Sequence, residues 1–208
     1  MNKNIIIAGV PRAGKSTISH ILSKKYGYQH ISMDSIIAGF EKIFPETGIN
    51  TYAEMPSFEI MKNISNKISK FISAMYKSGE YDEFNEKIVI DIYQLLPDDY
   101  VKNIGNENFE IYYFITSNVT AEERFQILKE NDNKNDYTYY YSDEENRENC
   151  FNIVEQSKII KGQCVKNNLP YFETAKNREQ IFEEFIRLYV LKPTLSSPAA
   201  SSIPSAVI

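Results

Sequence analysis

Gly9-Val10-Pro11-Arg12-Ala13-Gly14-Lys15-Ser16 is a full match to GxxxxGK[ST]. It stands directly between the apolar run Asn4-Ile5-Ile6-Ile7-Ala8 and the helical stretch Thr17 to Tyr26. A buried strand ending in a glycine-rich turn aims successive backbone N–H groups into one concavity, and the following helix adds the positive end of its dipole. Such a cradle holds a polyphosphate without bulky side chains. Gly9, Arg12, Ala13, Gly14, Lys15, Ser16 and Thr17 are its expected contacts, with Lys15 reaching the β- and γ-phosphates and the Ser16 hydroxyl ligating Mg²⁺. The competing reading is an ordinary glycine turn. Strand, loop and helix in the required order favour the cradle.

The 208 residues fit one domain with room for a sizeable core. A net charge of −5 and a pI near 5.2 argue against a general nucleic-acid or anionic-membrane surface, since those partners select clustered Lys and Arg. Cys150 and Cys164 lie fourteen residues apart in an expected helix, with only His20 and His30 to accompany them, so neither a disulfide framework nor a zinc site is indicated. No run reaches the apolar length of a membrane span, and the first apolar run is a core strand rather than a signal peptide. The expectation is a cytoplasmic protein.

Short apolar runs alternate with helical periodicity along the chain, which predicts an α/β fold with a mainly parallel sheet covered on both faces. Tyr28 to Ser32 is the second expected strand, adjacent to the first, and ends at Met33-Asp34. Ile36, Ile37, Phe40, Ile43 and Phe44 then recur at helical spacing, as do Ile60, Ile64, Ile68, Phe71, Ile72 and Met75. Residues 33 to 86 exceed what a simple crossover needs, and helical insertions here, over 35–80, are places to hold a substrate. Lys87 to Ile92 reads as a central strand and Phe109 to Thr116 as the next. Thr120 caps a helix to Leu128, with Glu123 completing a capping box. Residues 129–147 are polar and tyrosine-rich, as expected for a lid. A helix from about Glu144 to Asn167, a short strand Tyr171 to Thr174 and a last helix through Tyr189 follow. The uncharged tail 193–208 reads as disordered and outside the 1–192 domain.

Phosphoryl transfer needs charge neutralisation, Mg²⁺ and an oriented acceptor. Asp91 ends the β-branched run of a central strand, where a carboxylate meets a metal or its water shell; the plain alternative is a strand-end cap. Asp34, at the carboxyl edge of the second strand, either takes a proton from an attacking hydroxyl and helps place Mg²⁺, or caps the helix after it. Arg124 and Arg147 flank the lid as candidate stabilisers of the transferring phosphate, or as surface charges. The side chains of Arg12, Lys24 and Lys25 read as solvated charges. The tyrosines at 137 and 139–141 either stack on a ring or pack the lid.

The order of these segments, with Thr120-Ala121-Glu122-Glu123-Arg124 before a polar lid and Tyr171-Phe172-Glu173-Thr174-Ala175-Lys176-Asn177-Arg178-Glu179 near the end, resembles the nucleoside and nucleotide kinase group of P-loop proteins across residues 3–191. The resemblance implies a three-layer P-loop NTPase fold with a five-stranded parallel sheet, an acceptor-binding helical insertion after the second strand, and an arginine-flanked lid. It implies ATP and Mg²⁺, Arg124 as the arginine opening the lid, and Thr174-Ala175-Lys176 as the turn passing the adenine ring. Ser32-Met33-Asp34-Ser35 replaces the Thr-Gly-Asp of adenylate-kinase-like enzymes, and the lid is poor in arginine, which argues against a nucleoside-monophosphate acceptor. Met33 to Ile37 looks more like small-molecule hydroxyl kinases of the chloramphenicol phosphotransferase type, where the equivalent Asp is the base.

Asn133-Lys134-Asn135-Asp136 matches the NKxD of GTP-binding switches. Here it does not follow a buried strand, and Asp91-Ile92-Tyr93-Gln94 lacks the glycine of DxxG. The expected function is therefore ATP-dependent transfer to a hydroxyl or phosphate of a small molecule. A nucleoside-monophosphate kinase and a nucleotide-binding protein without an acceptor are the alternatives. The pattern specifies neither the acceptor nor an oligomeric state.

Overall fold

The structure is a computed structural model and describes residues 4–49, 58–78 and 87–191. β-Branched runs without a polar break build the centre of its sheet. β1 (Asn4–Gly9) and β3 (Lys87–Ile92) are buried along all but their first residue, as strands covered on both faces must be. With β2 (Tyr28–Ser32), β4 (Phe109–Ile115) and β5 (Tyr171–Glu173) they form one parallel sheet in the order β2-β3-β1-β4-β5. The expected α/β class and five-stranded parallel sheet are observed.

One placement is corrected. β2 was expected beside β1, but β3 lies between them: Ile7 of β1 pairs with Asp91, and Asp91 pairs with Ser32 of β2. Burial explains the order. β2 is partly exposed from Gln29 to Ser32, which an edge tolerates, whereas Ile88 to Ile92 need a neighbour on each side.

α1 (Lys15–Tyr26) carries the chain from β1 toward the β2 edge, and every later crossover runs the other way. A right-handed connection therefore puts α1 on one face, and α7 (Arg178–Phe185), which follows the last strand, packs on that same face. The other face carries α3 (Phe58–Lys77), α4 (Pro97–Asn103) and α6 (Asp143–Asn167). Contacts agree with this layering. Phe182 of α7 lies against Gly14 at the start of α1, Asn103 of α4 donates to Ser69 of α3 at 2.8 Å, and Asn167 of α6 donates to Asp98 of α4 at 2.5 Å. Met61, Ile64, Ile68 and Ile72 bury one side of α3 in the core. β1 and β3 are neighbours whose following segments leave to opposite faces, so a crevice opens at their carboxyl ends.

Three further differences bear on the site. The sequence reading assigned no element to residues 97–103, yet Pro97 at the first turn, with Asp98 and Asp99 beside it, starts α4. α5 (Ala121–Asn131) has the expected Thr120–Glu123 capping box but runs past Leu128, and α6 opens with a second capping box, Ser142–Glu145. The irregular part of the expected lid thus shrinks to residues 132–142, with one 3₁₀ turn at Tyr137–Tyr140. Phe125 and Leu128 of α5 pack on Cys150 of α6 and join the two arms. The tail 193–208 and residues 50–57, 79 and 80 of the expected insertion lie outside the described residues. Among the described residues, no helix is long and apolar enough to cross a membrane.

Candidate active site

Two glycines shape the cradle, for steric reasons. Gly9 has φ +126°, and a Cβ there would sit 2.0 Å from the Phe114 carbonyl oxygen; Gly14 has φ +90°, and its Cβ would meet Phe182 Cζ at 2.5 Å. Val10 N–H donates to the same Phe114 oxygen at 3.2 Å, which fixes the loop on β4. α1 begins with no side-chain cap and no acidic residue in its first turn, so its leading N–H groups and dipole remain available to an anion. Ser16 and Thr17 stand exposed beside them.

Lys15 is only 7 % exposed, and its Nζ donates to the Val10 carbonyl at 2.9 Å. Burial lowers its pKa, while the Asp34 and Asp91 carboxylates act in the opposite sense. Asp34 is the second residue of α2 (Met33–Ile43), whose N-cap is Ser32. It does not act as the helix cap, a place taken by Ser32, and its side chain faces the cleft that Gln94 also lines. Asp34 is itself exposed to the cleft, yet desolvation by the surrounding protein raises its pKa against the pull of Lys15, and Asp91 adds to the rise. Asp91 itself is 1 % exposed, lies below the cleft wall, and bonds His30 Nε2 at 2.7 Å through Oδ2. His30 in turn meets the ring of His20 edge-on.

The arginines are arranged differently from the expectation. Arg124 is 2 % exposed and donates from Nη2 to the Arg12 carbonyl at 3.0 Å, behind the cradle. Arg178 donates to that same carbonyl at 3.0 Å. Burial pushes the Arg124 pKa down to about 10, which leaves the group charged at neutral pH. Arg12, read as a solvated charge, is instead ion-paired with Asp132 at 3.2 Å and with Asp136, so it ties the cradle to the lid. Arg147 faces away from the cradle: its guanidinium lies 3.9 Å over the Phe125 ring and pairs with Glu122 at 3.3 Å. The stripe that α6 presents to α5 decides its direction.

Lys15, Ser16, Thr17, Asp34 and Gln94 converge on one cleft of about 1380 Å³, which Arg12 and Arg178 also line. The lid and α6 close it with Asn131, Asn149, Asn152, Glu145 and Glu148, and with Tyr137 and Tyr141. Asp91 and Arg124 stand outside this lining. Sequence reasoning gave no role to Gln94, His30 or Arg178. Gln94 follows β3 at the same edge as Asp91, and Arg178 starts the helix after the Thr174-Ala175-Lys176 turn; position was the available signal for both. The Asn133–Asp136 match is consumed locally, because Asp136 accepts from the Asn133 backbone and side chain as well as from Arg12.

Hard oxygen donors suit Mg²⁺, and the cleft offers the Ser16 hydroxyl and the Asp34 carboxylate. Among the described residues no cluster of three His, Cys, Asp or Glu could hold a metal unaided. Such a donor set fits an ion whose remaining ligands are phosphate oxygens and water.

The chain matches no protein-family model and no curated protein. Solved structures do match. A shikimate kinase from Bacteroides thetaiotaomicron has a TM-score of 0.54 at 17% identity, over 91% of this chain and 99% of that one. A shikimate kinase from Acinetobacter baumannii, in complex with shikimate, has a TM-score of 0.51 at 14% identity, over 90% and 93%. A sugar kinase from Janibacter sp. has a TM-score of 0.51 at 12% identity, over 91% and 95%. The chain has the fold of the P-loop small-molecule kinases.

Proposed function

We propose that this protein is an ATP-dependent phosphotransferase that moves the γ-phosphoryl group to a hydroxyl of a small molecule. The observation that carries this is one cleft holding both the phosphate-loop Lys15 and the Asp34 carboxylate, at the crevice where β1 and β3 diverge. Its volume exceeds the roughly 300–1,000 Å³ of a single small-molecule site, which leaves room for a nucleotide and an acceptor together. Like-folded neighbours bear the names of kinases for shikimate and for a sugar, which supports a hydroxylated acceptor.

In this reading the N–H groups from Gly14 to Thr17 hold the phosphates, and Lys15 exchanges the Val10 carbonyl for phosphate oxygens. Arg124 and Arg178, anchored on the Arg12 carbonyl, fix the loop and set positive charge behind it. The Ser16 hydroxyl, together with phosphate oxygens, would hold Mg²⁺, which when bound would neutralise the charge that develops on transfer. Asp34 takes the proton of the acceptor hydroxyl. A bond forms between that oxygen and the γ-phosphorus as the bond to the β–γ bridging oxygen breaks, and ADP leaves. Asp91, held by His30, works from below through its charge on Lys15.

A nucleoside monophosphate fits less well, because the lid-side wall carries carboxylates and amides and Arg12 is already neutralised by Asp132 and Asp136. Guanine reading by Asp136 is disfavoured for the same reason. The test is an ADP-release screen across sugars, amino alcohols, nucleoside monophosphates and antibiotics, run on the protein and on Lys15→Ala. Release stimulated by a hydroxylated compound and lost in Lys15→Ala is expected. ATP binding without acceptor-stimulated release from any class would leave a nucleotide-binding protein instead.

A further inference from the structure

Arg12 is held at both ends. Its carbonyl accepts from Arg124 of α5 and Arg178 of α7, each at 3.0 Å, while its guanidinium pairs with Asp132 at 3.2 Å and with Asp136 in the lid. Its backbone lies in the left-handed region, with φ +61°. That conformation disfavours a long side chain, and glycine would adopt it freely. Among the described residues the other non-glycine positions at positive φ are Asn168 and Asn177, which cap α6 and α7, and asparagine tolerates the region. A long cation where glycine fits best has a task, because strain of this kind persists only where surrounding contacts over-determine it. The contacts continue beyond the two aspartates. Asp132 Oδ1 also accepts from the Thr138 hydroxyl at 2.7 Å, and the Thr138 carbonyl accepts from Asn146 Nδ2 of α6 at 2.9 Å. Thr138 and Asn146 are buried, and the Asp132 side chain is 9% exposed, so water and salt screen this chain of bonds little. Through one carboxylate, Arg12 thus reaches the 3₁₀ turn at whose ends Tyr137 and Tyr141 line the cleft.

Resting on the phosphotransferase reading, we propose that Arg12 is a positioning residue for the lid-side wall of the acceptor space. It spends its charge on Asp132 and Asp136 rather than on phosphate, and so holds the tyrosine pair, whose rings meet at 5.8 Å, against the acceptor. The polarity of the contact supports this. Among the described residues the lid brings no cation to the cleft lining: it offers asparagines, Asp136 and tyrosines, and Arg147 turns outward. The attraction that draws the lid onto the phosphate loop therefore originates in the loop. A guanidinium suits the position because its planar fork meets two carboxylates at once, which a point-like ammonium does not.

The experiment is a mutant cycle on the full chain. Arg12→Gly removes the side chain and suits the backbone, Asp132→Asn with Asp136→Asn removes its partners, and a triple variant combines them. Wild-type amide exchange in β1 and β4 shows that each variant is folded. Exchange across 132–142 is expected to quicken about tenfold in Arg12→Gly and in the aspartate variant. The triple variant should go no further, because groups acting through one contact are not additive. Arg12→Lys, which keeps the charge and loses the fork, should recover part of the protection; it and the aspartate variant carry the test if Arg12→Gly does not fold. ADP release is then followed with whichever sugar or amino alcohol wild type uses best. Arg12→Gly and the aspartate variant should each raise the acceptor KM about tenfold and change kcat much less, the split expected of a displaced wall. Additive exchange in the triple variant, or wild-type exchange across 132–142 in Arg12→Gly, overturns the inference. So does a loss confined to kcat or to ATP binding, which would make Arg12 a phosphate contact. The exchange cycle needs no turnover, so the two readings can fail separately. Additive exchange in an active kinase removes this inference alone, whereas a coupled cycle in a protein that releases no ADP with any acceptor removes the phosphotransferase reading and the acceptor role with it.

Discussion

At the scale of single residues, Asp34 is where charge and chemistry meet, on the exposed rim of the cleft. Its ionised form faces Lys15, yet the protein around it raises its pKa, so the group is a stronger base than a solvated aspartate. Asp34→Asn should retain ATP binding, measured by titration, and lower kcat by about 10²- to 10⁴-fold, as general-base loss does. The sign of the pH dependence follows from the direction of the shift. Protonation removes the base, so kcat should fall as pH is lowered through a pKa above the usual aspartate value of 3.8, and that limb should vanish in Asp34→Asn. Gly9 makes a different demand. A Cβ there meets backbone rather than a side chain that can swing aside, so Gly9→Ala should cost more than about 3 kcal/mol in chemical denaturation, a large value for one methyl group.

At the scale of elements, the lid is held by ends rather than by a core. α5 and α6 each start on a reciprocal capping box, and a small apolar cluster joins them. Thr120→Ala and Ser142→Ala should each cost about 1 kcal/mol, read as a fall in Tm, because each leaves an N-terminal amide without its acceptor. The 132–142 segment depends more on the ion pairs of Arg12. Desolvation tends to raise the Asp136 pKa, but the hydrogen bond and charge of Arg12 outweigh it and leave it lowered. Asp136→Asn should therefore loosen the segment, seen as faster amide exchange across 132–141 with little change in α1 or β4.

At the scale of the whole molecule, aromatic packing closes the sheet under α7. Phe185 is fully buried and touches Tyr112, Phe114, Phe172 and Tyr189, and its neighbour Phe182 reaches Gly14 of the cradle. Phe185→Ala should cost about 3–5 kcal/mol in denaturant unfolding, and ATP affinity should weaken with it because α7 supports the loop that grips phosphate. Some of this architecture was legible in the chain alone. GxxxxGK[ST] after an apolar run, the unbroken Ile88-Val89-Ile90 strand and the Thr120–Glu123 box are local patterns, and each dictates its own backbone through sterics or hydrogen bonding. Pro97-Asp98-Asp99 and Ser142–Glu145 carried equally local signals that the expected loop and lid absorbed. Other features had no local signature. That β3 separates β2 from β1, that Arg12 is paired across the cleft while Arg147 turns outward, and that Gln94 comes to line one cleft with Asp34 all depend on contacts between residues dozens of positions apart. By itself the sequence determined a phosphate-binding loop on a parallel α/β scaffold, because that geometry is written in neighbouring residues. Only the tertiary structure decided which side chains face the acceptor, because burial and pairing across the crevice belong to the packed sheet and not to any one segment.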